Sequence, residues 1–142
     1  MKRPFERIFQ DCDGKVVALN GLTLSGLKCL YVTKNDLLTD KVILLWLKIL
    51  HEDLWLRIFI DGIYCGIDKF FEDESKQDED DWVTFVNYDS WVNNLTIKEA
   101  FVFSNKNFEE KFIRLEILLS NESKIELASI GEDEKCSLIL RN

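Results

Sequence analysis

Hydrophobic and polar positions alternate with a period of two over much of this chain, and turn signals separate the alternating runs. In residues 113–117 the odd positions are apolar and the even ones charged, and residues 124–127 repeat the pattern. This period is that of a strand with one buried and one solvent-facing side. The spacing predicts four hairpins, which turn at Asn20-Gly21, Asp61-Gly62, Asn121-Glu122 and residues 131–134.

Two kinds of segment do not follow this alternation. Residues 42–50 are apolar apart from Lys48, and periodicity alone does not separate a buried strand from a helix there. We favour a central strand because a short turn and the alternating run 54–60 follow directly; a helix capped by Thr39 or Asp40 is the alternative. Short helices are expected at residues 5–10 and 90–95.

These elements predict a mainly β protein, or an α+β protein with few short helices. The expected architecture is an antiparallel meander that forms a sandwich or a strongly curved sheet. With 142 residues, one proline and no linker, the chain reads as a single β-rich domain, residues 1–142.

Composition and charge limit the function. Hydrophobic residues make up 46% of the chain, and the formal net charge is -8, which makes nucleic acid and anionic membranes poor partners. The sequence shows no segment typical of a membrane span or of a signal peptide, so a cytoplasmic protein is expected. The cysteines lack metal-site spacing, and Cys29, Cys65 and Cys136, which lie in apolar runs, are expected to be buried hydrophobes. His51 is expected to be a surface turn residue. We therefore expect neither an enzyme nor a bound cofactor or metal.

The charge is concentrated in one segment. Residues 72–81 hold seven acids and one lysine, a net charge of -6, so the other 132 residues carry only -2. The segment reads either as a solvated loop or as an electrostatic landing site for a basic partner, with nearby aromatic residues as anchors. Calcium binding is disfavoured because no glycine or alternating spacing wraps the acids round an ion. The candidate partner-binding residues are Asp73, Glu74, Asp78, Glu79, Asp80, Asp81, Trp82, Tyr88, Asp89 and Trp91.

Two strand pairs resemble those of bacterial immunity proteins, which are paired with polymorphic or contact-dependent growth-inhibition toxins. They are residues 55–64, WLRIFIDGIY, and residues 112–121, FIRLEILLSN, which continue through residues 125–127. The resemblance implies a stoichiometric inhibitor of a cognate toxin domain, often a basic nuclease. It carries over no individual binding residue.

Two other functions compete with this one. A small-ligand-binding β-domain would use an aromatic interior, and an acidic nucleic-acid mimic would inhibit some other protein through the same charges. The aromatic residues considered for a ligand site are Trp46, Trp55, Phe59, Phe101 and Phe103.

Overall fold

The computed structural model describes residues 3–35, 37–61, 64–71, 73, 82–105, 112–130 and 135–142. Over these residues the chain forms strands joined by short connections, a 3-10 helix at Val17–Leu19 and one short α-helix. The elements are β1 Glu6–Gln10, β2 Gly14–Lys15, β3 Leu24–Lys34, β4 Leu37–Ile49, β5 Trp55–Asp61, β6 Tyr64–Phe70, β7 Val83–Asn87, α1 Asp89–Val92, β8 Ile97–Asn105, β9 Phe112–Leu119, β10 Lys124–Ile130 and β11 Lys135–Arg141.

The strands form two antiparallel sheets. The six-stranded sheet has the order β1-β6-β5-β4-β3-β7, and the five-stranded sheet has the order β11-β10-β9-β8-β2. Their inner faces pack together as a sandwich, so the predicted fold class is confirmed. Residues 42–49 belong to β4, between β3 and β5, which confirms the central strand rather than the helix.

Three of the four predicted strand pairs are confirmed. β5 and β6 pair with Asp61 opposite Tyr64, and β10 and β11 pair with Ile130 opposite Lys135. The turn residues of these two hairpins lie outside the described residues. β9 and β10 join through a turn in which Glu122 has a φ of 69°.

The hairpin predicted at Asn20-Gly21 is wrong. Gly21 does adopt a positive φ of 80°, but its N–H donates to Ile97 O at 2.9 Å, and Val16 N donates to Ala100 O at 2.9 Å. Both sides of the turn therefore bond to β8, and the bond from Leu22 N to Leu19 O at 3.4 Å closes the turn without continuing into a strand pair. The distant strand satisfies the same backbone groups and also buries Leu19, which a local hairpin would not do.

The helix predicted at residues 5–10 is also wrong, because this segment is strand β1. β1 pairs with β6, which places Ile8 opposite Ile67 against the core and Arg7 opposite Asp68. Tertiary pairing overrides the weak local preference of a short segment. The second predicted helix is confirmed as α1, Asp89–Val92.

The core between the sheets is aliphatic. Its side chains come from alternate positions of the facing strands, as the period-two pattern predicts, and include Leu45, Ile58, Leu115 and Leu127. Three cysteines lie buried as free thiols, as predicted, and Cys12 is exposed. Burial raises the pKa of two of these thiols to about 12 and that of the third higher still, so they stay protonated at neutral pH. The buried cysteines are Cys29, Cys65 and Cys136.

Candidate interaction surface

The outer face of the six-stranded sheet carries one side chain from each strand in a continuous row. Residues directly opposite each other in neighbouring strands share a face, so the pairing register identifies the row. We call it the central row, and it runs Arg7, Asp68, Arg57, Trp46, Lys28 and Asn87.

Asp68 is the buried centre of one half of the row. Its side chain is 0% exposed and lies between two arginines. Arg7 Nε donates to Asp68 Oδ1 at 2.5 Å and Arg7 Nη2 donates to Asp68 Oδ2 at 2.9 Å. Arg57 Nη2 donates to Asp68 Oδ2 at 2.7 Å. One carboxylate therefore fixes two guanidinium groups, one on each neighbouring strand.

The two arginines hold Asp68 in its charged form. Burial by itself favours the neutral carboxyl, but the hydrogen bonds and charges of Arg7 and Arg57 outweigh that effect and lower the pKa of Asp68. The same hydrogen bond and charge raise the pKa of Arg7. Asp68 and Arg7 are consequently ionised throughout the physiological range.

Basic side chains on this face lie against aromatic rings. In each pair the cationic group is within 6 Å of a ring centroid, the distance at which a cation–π attraction of about 0.5–1 kcal/mol operates. The face therefore combines cationic and aromatic side chains, of which Arg57 and Phe70 are largely buried. The pairs are Arg57 over Phe70 at 4.9 Å, Lys48 over Trp55 at 5.0 Å, Lys28 over Phe85 at 5.6 Å and Arg7 over Phe9 at 5.8 Å.

A second apolar cluster lies on the same outer face. Leu30, Trp46 and Val83 are buried there, and Phe85 packs against them. The ring centroids of Trp46 and Phe85 are 5.5 Å apart. The outward face of an antiparallel sheet in a sandwich normally alternates to polar residues. On β3, β4 and β7 that face is instead apolar and aromatic.

A cleft of about 360 Å³ opens next to this cluster. Its walls include two indole rings, two ammonium groups and two carboxylates. These come from Trp46, Trp55, Lys28, Lys48, Asp73 and Asp89. The cleft thus combines flat apolar surface with charges of both signs, a lining suited to a ligand or side chain with an apolar body and a polar end.

Asp73 and Asp89 are the two predicted site residues that the fold brings together. Asp89 Oδ1 accepts a hydrogen bond from Leu27 N at 2.8 Å, and Asp89 Oδ2 accepts one from Asn87 Nδ2 at 3.1 Å. A Cβ atom on Gly26 would come within 2.9 Å of Asp89 Oδ1, so the approach requires a residue without a side chain. Asp89 therefore also fixes the start of α1 against β3.

The predicted aromatic anchors occupy different environments. Tyr88 and Trp91 pack against the core between the sheets, and the Tyr88 hydroxyl lies 2.9 Å from that of Tyr31. Trp82 is 59% exposed just before β7. Of the three, Trp82 alone offers a largely open ring. The remaining predicted acids, Glu74, Asp78, Glu79, Asp80 and Asp81, lie outside the described residues.

The five aromatic residues considered for an interior ligand site do not form one cluster between the sheets. Trp46 and Trp55 line the cleft, and the Phe59 ring covers Gly66 on the same sheet. Phe101 and Phe103 lie on the outer face of the other sheet, in a groove of about 320 Å³ with Leu118. The space between the sheets is filled by aliphatic side chains instead.

Among the described residues, no three His, Cys, Asp or Glu side chains come together in a group that could hold a metal ion. His51 is exposed in a turn with a φ of 62°. None of the helices in the described ranges is long and apolar enough to cross a membrane.

The sequence analysis missed the Arg7–Asp68–Arg57 group. One signal was available: in residues 55–60 the alternation puts Arg57 on the face opposite the apolar Leu56 and Ile58, together with Trp55. Asp68 also interrupts an apolar run, and a charge in such a place is buried only when it is paired. Its pairing with Arg7 depends on β1, which the sequence analysis took for a helix.

No protein-family model matches this chain, and no curated protein or solved structure matches it significantly.

Proposed function

We propose that this chain is a non-enzymatic, protein-binding inhibitor of the immunity type, which neutralises a cognate toxin domain by stoichiometric binding. One observation carries the proposal. Asp73, in the acidic segment, lines the cleft beside two tryptophans on the aromatic outer face of the six-stranded sheet. The described residue of the acidic segment thus adjoins a surface that carries aromatic residues, a class that dominates binding energy.

The two features would contribute differently to binding. Seven carboxylates in residues 72–81 attract a basic domain, such as a nuclease, and raise the association rate. Trp55 at the cleft and Trp82 bury apolar surface in the complex and slow dissociation. Carboxylates can also occupy positions where a nuclease holds phosphates, so binding blocks the substrate groove.

The steering role is tested by reversing charge in two places. Asp80 and Asp81 are changed to lysine in one variant, and Glu52 and Asp53, exposed in the turn after β4, are changed to lysine in a matched control. Both variants gain the same charge. We expect the first to associate with the purified toxin domain about tenfold more slowly at low salt, with a flatter salt dependence, and the control to change much less.

The anchoring role is tested by Trp82→Ala. Because this side chain is 59% exposed, the variant should fold normally while the complex dissociates about tenfold faster or more. Ile139→Ala, at a 42% exposed position of the other sheet, is the control. Equal association rates for the two charge variants, together with unchanged dissociation for Trp82→Ala, would contradict the proposal.

A small-ligand-binding domain is the second candidate, and the cleft favours it. Trp46 and Trp55 line a space of about 360 Å³, large enough for a small aromatic or aliphatic molecule. A ligand seated there should shift tryptophan emission in the unchanged chain, and Trp55→Phe should reduce the response. An inhibitor that mimics nucleic acid shares the charges of the first proposal and differs only in its partner.

A further inference from the structure

Strand β1 is an open edge of the six-stranded sheet. Within the described part of the chain it pairs with β6 alone and stands at the end of the strand order. Half of its backbone N–H and C=O groups therefore point away from the sheet. Three of its side chains are also exposed to solvent: Phe9, which is 55% exposed, Glu6 and Arg7.

The edge lacks two of the usual protections against pairing. Proline and bulges within an edge strand keep it from joining another strand. β1 has no proline, and its register with β6 runs without interruption from Glu6 to Gln10. Its inward positions are Glu6, Ile8 and Gln10. Ile8 packs against the core, Glu6 pairs with Lys69 at 2.9 Å, and Phe9 adds a large exposed ring on the outer face.

The residues of β1 complement a second β1 that runs antiparallel to it. In a pairing symmetric about Ile8, Arg7 of one copy stands opposite Phe9 of the other, twice, and Glu6 stands opposite the neutral Gln10. A guanidinium beside an aromatic ring is favourable, and no like charges meet. Arg7 is already held in place by Asp68, so little side-chain freedom is lost on pairing.

We propose that two copies of this chain associate through β1, in antiparallel register centred on Ile8, and join their six-stranded sheets into one continuous sheet. Two of the other sheet edges, β11 and β7, fit a second copy less well. Symmetric pairing of β11 would set Lys135 opposite Arg141, two residues of like charge. Symmetric pairing of β7 would set Val83 opposite Asn87, with no charged contact to fix the register.

Substitutions at residue 9 distinguish the proposed register from unspecific association. Residue 9 of one copy faces Arg7 of the other, so Phe9→Glu creates two attractive contacts, Phe9→Lys creates two repulsive ones, and Phe9→Gln is the neutral reference. We expect the dimer dissociation constant to rise in the order Glu, Gln, Lys, with at least about a tenfold difference between Glu and Lys. Val17→Lys, at a 71% exposed position outside the register, should leave dimerisation as in the unchanged chain.

Sedimentation equilibrium over a concentration series measures these constants, and thermal melts confirm that each variant folds. Amide hydrogen exchange gives an independent readout, because the outward N–H groups of β1 should exchange more slowly as the unchanged chain is concentrated. A chain that stays monomeric at millimolar concentration would overturn the proposal. So would equal dissociation constants for the Glu and Lys variants, or a Val17→Lys effect as large as that of Phe9→Lys. None of these results depends on whether a toxin partner exists.

Discussion

Replacing Asp68 with asparagine tests whether the buried carboxylate holds the outer face of the six-stranded sheet together. The substitution keeps the size of the side chain and one carbonyl oxygen, but it removes the negative charge shared by Arg7 and Arg57. Removing one partner of a buried ion pair costs about 3–5 kcal/mol. Arg7 is 44% exposed and can return to water, whereas Arg57 is only 13% exposed. We therefore expect a loss of about 2–3 kcal/mol in the free energy of unfolding.

Urea or guanidinium denaturation at neutral pH measures this loss. Glu122→Gln is the matched control, because Glu122 also pairs with a cation, Lys98, but is 70% exposed. A surface pair of this kind contributes about 0–1 kcal/mol, so the control should change little. A cost for Asp68→Asn within about 0.5 kcal/mol of the control would refute the reasoning.

The pH dependence supplies a second check on the same residue. The pKa of Asp68 is lower in the folded chain than in the unfolded one, where it is about 3.9. Its contribution is therefore present above that unfolded value and is lost as pH falls through the folded value. The difference in stability between the unchanged chain and Asp68→Asn should be largest at neutral pH and shrink in acid. A difference that stays constant down to strongly acidic pH would contradict the ionic origin of the effect.

Two further predictions concern packing and thiol reactivity. A Cβ atom on Gly66 would lie 2.2 Å from Phe59 Cζ, so Gly66→Ala should destabilise the fold by about 1–3 kcal/mol in chemical denaturation. The cost should be much smaller when Phe59 is also changed to alanine. Equal costs in both backgrounds would contradict a steric overlap between the new Cβ atom and the Phe59 ring. A thiol reagent should label Cys12 alone in the folded chain at pH 8, because burial keeps Cys65 and Cys136 protonated, with pKa values of about 12, and raises the pKa of Cys29 further still. Rapid labelling of a second thiol before unfolding would show that a core cysteine is accessible.

The local pattern determined those elements in which neighbouring residues decide the outcome. Alternation in residues 113–117 and 124–127 settles which side chains face the core, because a strand exposes successive residues on opposite faces. Their hairpin needs only a short turn, so strand order follows from the sequence. The burial of the cysteines and the exposure of His51 were also predictable from their immediate neighbours.

The tertiary structure decided the elements whose backbone bonds reach distant residues. The turn at Asn20-Gly21 is a good local hairpin signal, yet β8 captures both of its sides. Residues 6–10 become a strand because β6 supplies a partner roughly sixty positions away. Short segments gain too little from local preference to resist such pairing.

The candidate surface follows the same division. Composition identifies the acidic segment and the aromatic residues, because charge and residue type need no fold to be read. The central row from Arg7 to Asn87 exists only once six strands from across the chain lie in register. An ion pair between Arg7 and Asp68 joins residues 61 positions apart, and periodicity describes only neighbours. The sequence by itself therefore determined which faces are apolar, and the sheet order determined which charges meet.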